Sequence, residues 1–207
     1  MTVQARHHFI ISPAFKLLTR FLIKKHFDKV YVEGSYEDTG HPILLIANHS
    51  SWWDGFWIMY LNLTDMHRKV YFMMLEKELQ KYWFFKYTGG YPIKKKTRNT
   101  LETINYTLNL LKERKNMVFM FPQGKLNSMH DRNMVFEQGA QKIIEKSSPD
   151  LQIHCVVFLT DYFSKPKPSL YIYRKSYTAA YVKQHSLQET YASLYDCALK
   201  KQITKNL

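Results

Sequence analysis

Two side chains between residues 47 and 55 can do chemistry together. His49 and Asp54 stand five residues apart in Asn48-His49-Ser50-Ser51-Trp52-Trp53-Asp54, directly after the apolar run Pro42-Ile43-Leu44-Leu45-Ile46-Ala47. An unperturbed histidine titrates near ~6.5, so at neutral pH it can take a proton from an alcohol and later return it. A carboxylate on one ring nitrogen fixes the tautomer, leaves the other nitrogen as acceptor, and stabilises the imidazolium formed during transfer. The same residues also fit a plain loop histidine and an aspartate complementing a helix dipole.

The flanking sequence suits the first use. The apolar run, bounded by Gly40, has the length of a buried strand, so Asn48 and His49 emerge at its end. Ser50 and Ser51 are helix-start residues, and residues 54–61 continue as a mostly apolar helix with an acid in its first turn. Further strands are expected at 29–33, 69–74, 117–121, 155–159 and 170–173. Helices are expected at 76–86, ended by Gly89 and Gly90, and at 100–114, with Leu101, Ile104, Leu108 and Leu111 on one face. Ser186-Leu187-Gln188-Glu189 matches a capping box opening a last helix with Leu187, Tyr191, Leu194 and Ala198 on one face. This rhythm predicts a single α/β domain with a mainly parallel central sheet flanked by helices. Sites in such sheets lie at the carboxyl ends of the strands, so His49, after the second strand, and Gln123-Gly124, after the fourth, share one rim.

The pattern N-H-x-x-x-x-D resembles the signature of the glycerolipid acyltransferase family, which includes the lysophosphatidic acid and glycerol-3-phosphate acyltransferases. Gly90-Tyr91-Pro92-Ile93-Lys94-Lys95 resembles the second block of that family, which usually has arginine where Lys95 stands. Phe121-Pro122-Gln123-Gly124 resembles the third, F-P-E-G, and Phe136-Glu137-Gln138-Gly139-Ala140 resembles the segment that follows it. The third block normally continues T-R-S, and Lys125 and Leu126 stand at the first two of those positions. Val156-Val157-Phe158 falls where the family has a strand with a central proline, absent here.

The resemblance implies that His49 and Asp54 are catalytic and that Asn48, Gly90, Ile93, Lys95, Phe121, Pro122, Gln123, Gly124 and Lys125 contact substrate. It implies transfer of an acyl group from acyl-coenzyme A or acyl carrier protein, as co-substrate, to a hydroxyl of a lysophospholipid or related lipid, with no cofactor and no metal. The family arginine that grips an acceptor phosphate is replaced by Leu126, which opens a neutral or glycolipid hydroxyl as alternative acceptor. Lys125, Arg132 or the cluster Lys94, Lys95, Lys96, Arg98 still supplies charge for a phosphate, or is a solvated basic loop. A non-catalytic lipid binder of the same fold is the other reading.

Composition bounds the partners. The 207 residues suit one domain, and Lys plus Arg outnumber Asp plus Glu by 30 to 17, a net +13. Such a field attracts anionic lipid, nucleic acid or acidic partners such as coenzyme A and acyl carrier protein. The lack of any recognisable nucleic-acid module argues against nucleic acid. Cys155 and Cys197 give no disulfide framework or metal spacing, which suits a cytoplasmic chain. No apolar run reaches transmembrane length and no cleavable signal is seen, so membrane contact is expected to be peripheral. Residues 1–28 supply the means, ahead of an acyltransferase domain at 29–207. Within residues 14–27, Phe15, Leu17, Leu18, Phe21 and Leu22 form a broad apolar face, and Lys16, Arg20 and Lys24 form a basic stripe. Ser12 can cap this helix, with Pro13 in its first turn. Such a helix either lies in an anionic membrane interface or packs on the domain's own core.

Overall fold

The computed structural model describes residues 4–93 and 99–205. Strand β2 (Ile43–Ala47) shows how the sequence builds the centre. All five residues are buried, because the strand is covered on both faces. Leu44 and Ile46 enter one core and Ile43, Leu45 and Ala47 the other, following the two-residue period of a strand.

Around it lie β1 (Val30–Glu33), β3 (Lys69–Leu75), β4 (Gly90–Ile93), β5 (Asn116–Met120), β6 (Gln152–Asp161) and β7 (Ser169–Thr178), in the order β1-β7-β6-β2-β5-β3-β4. The strands from β6 to β4 are parallel, β7 runs antiparallel to β6, and β1 pairs parallel with β7. The mainly parallel expectation therefore holds for five strands, and the β6–β7 pair departs from it for a plain reason. The connection at 162–168 is too short for a crossover and closes an antiparallel hairpin. Residues 90–93, read from sequence as the end of a helix and a motif, form the additional strand β4, so the strand before Gln123 is the fifth rather than the fourth.

One face of the sheet is covered by α4 (Asn99–Leu110), α5 (Gln138–Lys146), α6 (Ala179–His185) and α7 (Leu187–Ile203) through Ile104, Ile143, Ile144, Val182 and Tyr191. The other is covered by α1 (Ile11–His26) and α2 (Asp54–Leu61) through Ile23, Phe27, Trp57, Ile58 and Leu61. The helix expected at 76–86 is α3 (Glu76–Lys81) followed by a 3₁₀ turn, Trp83–Tyr87. The serine half of the expected capping box is present, with Ser186 Oγ accepting from the Glu189 N–H at 3.3 Å. No described helix is long and apolar enough to cross a membrane.

The first helix straps the sheet. At its start, His7 bridges to Thr88 beside the β4 edge; at its end, the Asp28 N–H donates to the Pro168 carbonyl beside β7. His8, not Ser12, meets its first turn: Nδ1 accepts from the N–H groups of Ile10 and Ile11 at 3.3 and 3.5 Å. The apolar face also differs from the expectation. Thr19 and Ile23 are buried with Phe15 and Leu22 beside them, whereas Leu17, Leu18 and Phe21 point outward. Burying Ile23 and Phe27 contributes about 1.5–3 kcal/mol each, enough to hold the strap on α2.

At the amino end of β6, His154 is wholly buried, with Nδ1 2.8 Å from the Ser176 hydroxyl and Tyr36 edge-on at 5.4 Å. Burial, with help from the Arg174 charge, lowers its pKa to about 3. The unfolded chain takes up a proton near pH 6.5 that the folded chain refuses, so stability held above that pH drains as pH falls toward 3. His154→Gln is expected to flatten the pH dependence of urea unfolding below pH ~6.5 by up to about 1.4 kcal/mol per unit. Parallel profiles for the two proteins would remove His154 as the cause.

Candidate active site

The carboxyl rim of β2, β5 and β6 gathers most of the chemistry. Residues 48–53 turn from β2 into α2, and Asp54 opens that helix. Ser50 and Ser51 stand ahead of the helix, where Ser51 Oγ accepts from the Trp53 N–H at 3.1 Å, and their backbone N–H groups donate to Asp54 Oδ2 at 2.7 and 2.9 Å. The turn thus wraps the carboxylate. The same oxygen lies 2.8 Å from His49 Nδ1.

Three N–H groups converging on one oxygen fix the roles. With Ser50 and Ser51 donating, Oδ2 is an acceptor, so Nδ1 carries the proton and Nε2 is left as the basic nitrogen. Asp54 is fully buried, and its carboxyl is pushed above the usual range by burial, against the pull of the His49 and backbone hydrogen bonds. The imidazole itself is partly open, at 29% exposure, so its far edge can meet substrate. Phe121 stacks on it with centroids 4.3 Å apart and planes 9° from parallel.

The third block holds the same histidine through its backbone. Gln123, buried, accepts from the His49 N–H at 2.6 Å through Oε1, and the Asn127 N–H donates to the His49 carbonyl at 2.8 Å. The amide oxygen being so occupied, the other arm of Gln123 is an N–H₂ donor where a glutamate has only acceptors. The positive φ of Gly124, 65°, turns the chain after Gln123, and its N–H closes on the Phe121 carbonyl at 3.1 Å.

Asn48 has a different place from the one expected of a substrate contact. It is 2% exposed; Nδ2 donates to the Phe158 carbonyl at 3.0 Å, and the Phe158 N–H donates to Oδ1 at 2.8 Å. This reciprocal pair continues the ladder between β2 and β6 one step past the last strand residue, and it anchors the residue before His49. Tyr191 of α7 adds its hydroxyl, 3.3 Å from Asn48 Oδ1 and 2.8 Å from the Val156 carbonyl.

Gly90 and Ile93 lie three strands from β2, roughly 14 Å across the sheet. Gly90 is a packing residue: a Cβ there would stand 2.8 Å from the Phe85 carbonyl and 3.1 Å from the Phe72 ring. Phe72 stacks on Phe119 at 5.0 Å, and Phe119 meets Phe121 at 5.7 Å, so an aromatic row links Gly90 to His49. Pro122 is buried and Lys125 is exposed on the same loop. Leu126, at the family arginine's position, is 59% exposed. Lys95, with Lys94, Lys96 and Arg98, lies outside the described residues. Among the described residues no cluster of His, Cys, Asp and Glu is placed to hold a metal ion.

A family model described as Acyltransferase matches residues 29–159, more than half of the sequence. The chain belongs to the acyltransferase family. A comparison with curated proteins found no match. The matched span runs from just before β1 to within two residues of the end of β6 and holds His49, Asp54 and the Gln123 loop. In this acyltransferase the support extends past the match. From α7, Tyr195 donates to the Met129 carbonyl at 2.5 Å, and Gln188 accepts from the Phe136 N–H at 3.0 Å, fixing the loop that carries Asn127. From sequence Tyr191 and Gln188 are only a face residue and a capping-box residue of the last helix, and Tyr195 and Asn127 are not singled out, because nothing local marks a helix about 60 residues downstream as the brace of a motif loop.

Proposed function

We propose that this acyltransferase moves a fatty acyl group from a thioester, coenzyme A or acyl carrier protein, to a hydroxyl of a lipid acceptor, with His49 as general base. The observation that carries the reading is the 2.8 Å contact between His49 Nδ1 and the buried Asp54 carboxylate, with the ring's other edge open to solvent. Nε2 takes the acceptor hydroxyl's proton as the oxygen attacks the thioester carbonyl carbon. The tetrahedral intermediate collapses, the C–S bond breaks, and the imidazolium returns its proton to the departing thiolate. Asp54 offsets the imidazolium charge throughout, and burial makes that interaction stronger than in water. Phe121, flat against the ring, restricts its rotation and sheds water from one face.

The third block shapes the acceptor. A leucine stands exposed at the position of the family's phosphate-gripping arginine, and Gln123 is neutral beside the base. These features favour an acceptor with no phosphate next to its reacting hydroxyl, namely a neutral lipid or glycolipid, over lysophosphatidic acid. Transfer from labelled acyl-coenzyme A and acyl carrier protein to a panel of phosphorylated and neutral acceptors tests this. The expected result is a higher kcat/KM on the neutral hydroxyls. Preference for lysophosphatidic acid would instead assign the phosphate to other basic residues such as Lys125 or Arg132. Folded wild-type protein that binds lipid and transfers from neither donor would leave the non-catalytic lipid binder as the reading.

A further inference from the structure

Along α1, on the side away from the sheet, runs an apolar stripe with a basic margin. Ile10, Leu17 and Phe21 are 60%, 71% and 58% exposed, and the 100° step of a helix puts them in one narrow sector. Phe9, 80% exposed, extends the stripe. One exposed leucine means little, but four large apolar side chains in a row mark an interaction surface.

Beside the stripe an open groove of about 680 Å³ runs between α1, the start of β1 and the end of α2. Ile23 and Phe27 give it an apolar wall, and Arg20, Lys24 and Lys29 line it against the single carboxylate of Asp28. Arg20 already reaches across it, its guanidinium 3.5 Å from the Leu63 carbonyl. The groove is distinct from the His49 site: it borders Tyr60 near the far end of α2 and Leu63 and Thr64 just past it, roughly 14 Å along the helix axis from Asp54.

We propose that this groove holds the phosphate headgroup of an anionic phospholipid while the neighbouring stripe enters the acyl region of the same leaflet. Charge selects the headgroup, since three cations face one carboxylate and a guanidinium fork suits phosphate oxygens. The stripe selects a lipid surface over the other anions. Nucleic acid or an acidic protein matches the charge and leaves Phe9, Ile10, Leu17 and Phe21 unmatched; a bilayer matches both, headgroup beside chain, as the helix presents them. Docking in this way lays the strap along the membrane. The inference does not depend on the chemistry at His49, because binding alone reads it.

Co-sedimentation of the full chain with phosphatidylcholine vesicles, with and without phosphatidylglycerol, is the test. Wild-type protein is expected to prefer the anionic vesicles, and Arg20→Gln with Lys24→Gln is expected to weaken that binding about thirty-fold. Lys16→Gln with Lys25→Gln removes the same charge from α1 outside the groove, and a clearly smaller loss than for the groove pair is expected there. Leu17→Ser with Phe21→Ser is expected to weaken binding to both vesicle types. All six positions are solvent-exposed, and an unchanged melting temperature verifies the fold of each variant. Equal losses for the two charge pairs would overturn the headgroup site in favour of diffuse attraction. Wild-type binding that ignores phosphatidylglycerol would overturn it outright.

Discussion

His49→Ala is expected to lower acyl transfer by about 10³–10⁴-fold while the protein stays folded, because it removes the proton acceptor and little else. The ring is partly exposed, and its loss leaves Asp54 Oδ2 still bonded to the Ser50 and Ser51 N–H groups. The backbone of residue 49 also keeps its place, since Gln123 and Asn127 grip the peptide N–H and carbonyl rather than the imidazole. Single-turnover transfer, which isolates the chemical step from product release, is the suitable measurement. A matching fall in melting temperature would mean that the ring is structural and would weaken its assignment as the base.

Asp54→Asn is expected to cut kcat by about 10²–10³-fold, less than the loss at His49, because only the charge behind the imidazolium disappears. Asparagine can place its carbonyl oxygen where Oδ2 accepts from His49, Ser50 and Ser51, so the tautomer survives. Stability should move the other way. Burial raises the Asp54 pKa above its unfolded value, so its contribution to stability is present at acid pH and lost as pH rises through the raised value. At neutral pH the wild type carries the cost of an ionised buried group, and the neutral variant is expected to melt no lower than wild type. An Asp54→Asn protein that is both fully active and less stable would contradict both parts. Asp54→Ala, by contrast, orphans the two serine N–H groups and is expected to be inactive and destabilised.

Much of this site was legible because its parts are local. An apolar run of strand length, a polar turn and a helix with an early acid already placed His49 and Asp54 within one turn of each other, and β2, the turn and α2 follow that order. The shared rim was legible from the parallel rhythm, and β5 does lie beside β2. What escaped depends on contacts between distant segments. The resemblance makes Asn48 a substrate contact, yet in the fold it closes a ladder with Phe158, 110 residues away. Ser50 and Ser51 have the composition of a helix start, and Ser51 Oγ does accept from the Trp53 N–H, but that the backbone N–H groups of both serines turn onto the buried carboxylate shows only in the fold. On α1, helical periodicity grouped Leu17, Leu18 and Phe21 with Phe15 and Leu22 as one broad face. The structure divides them, burying Thr19 and Ile23 instead, because a helix apolar on two sides does not say in sequence which side meets the sheet.

The Gln123 substitution shows the same limit in the opposite direction. From sequence it was a motif position with an altered charge; in the fold it is the acceptor for the backbone N–H of His49, a role that needs an oxygen and not a charge. Glutamine therefore keeps the positioning function of that site and changes the electrostatics around the acceptor.

The most direct measurement is single-turnover transfer from acyl-coenzyme A and acyl carrier protein by wild-type and His49→Ala protein, each with and without added imidazole. If His49 Nε2 is the base, the variant loses transfer and free imidazole restores a part of it while leaving the wild type unaffected. A His49→Ala protein that transfers at the wild-type rate would contradict the assignment.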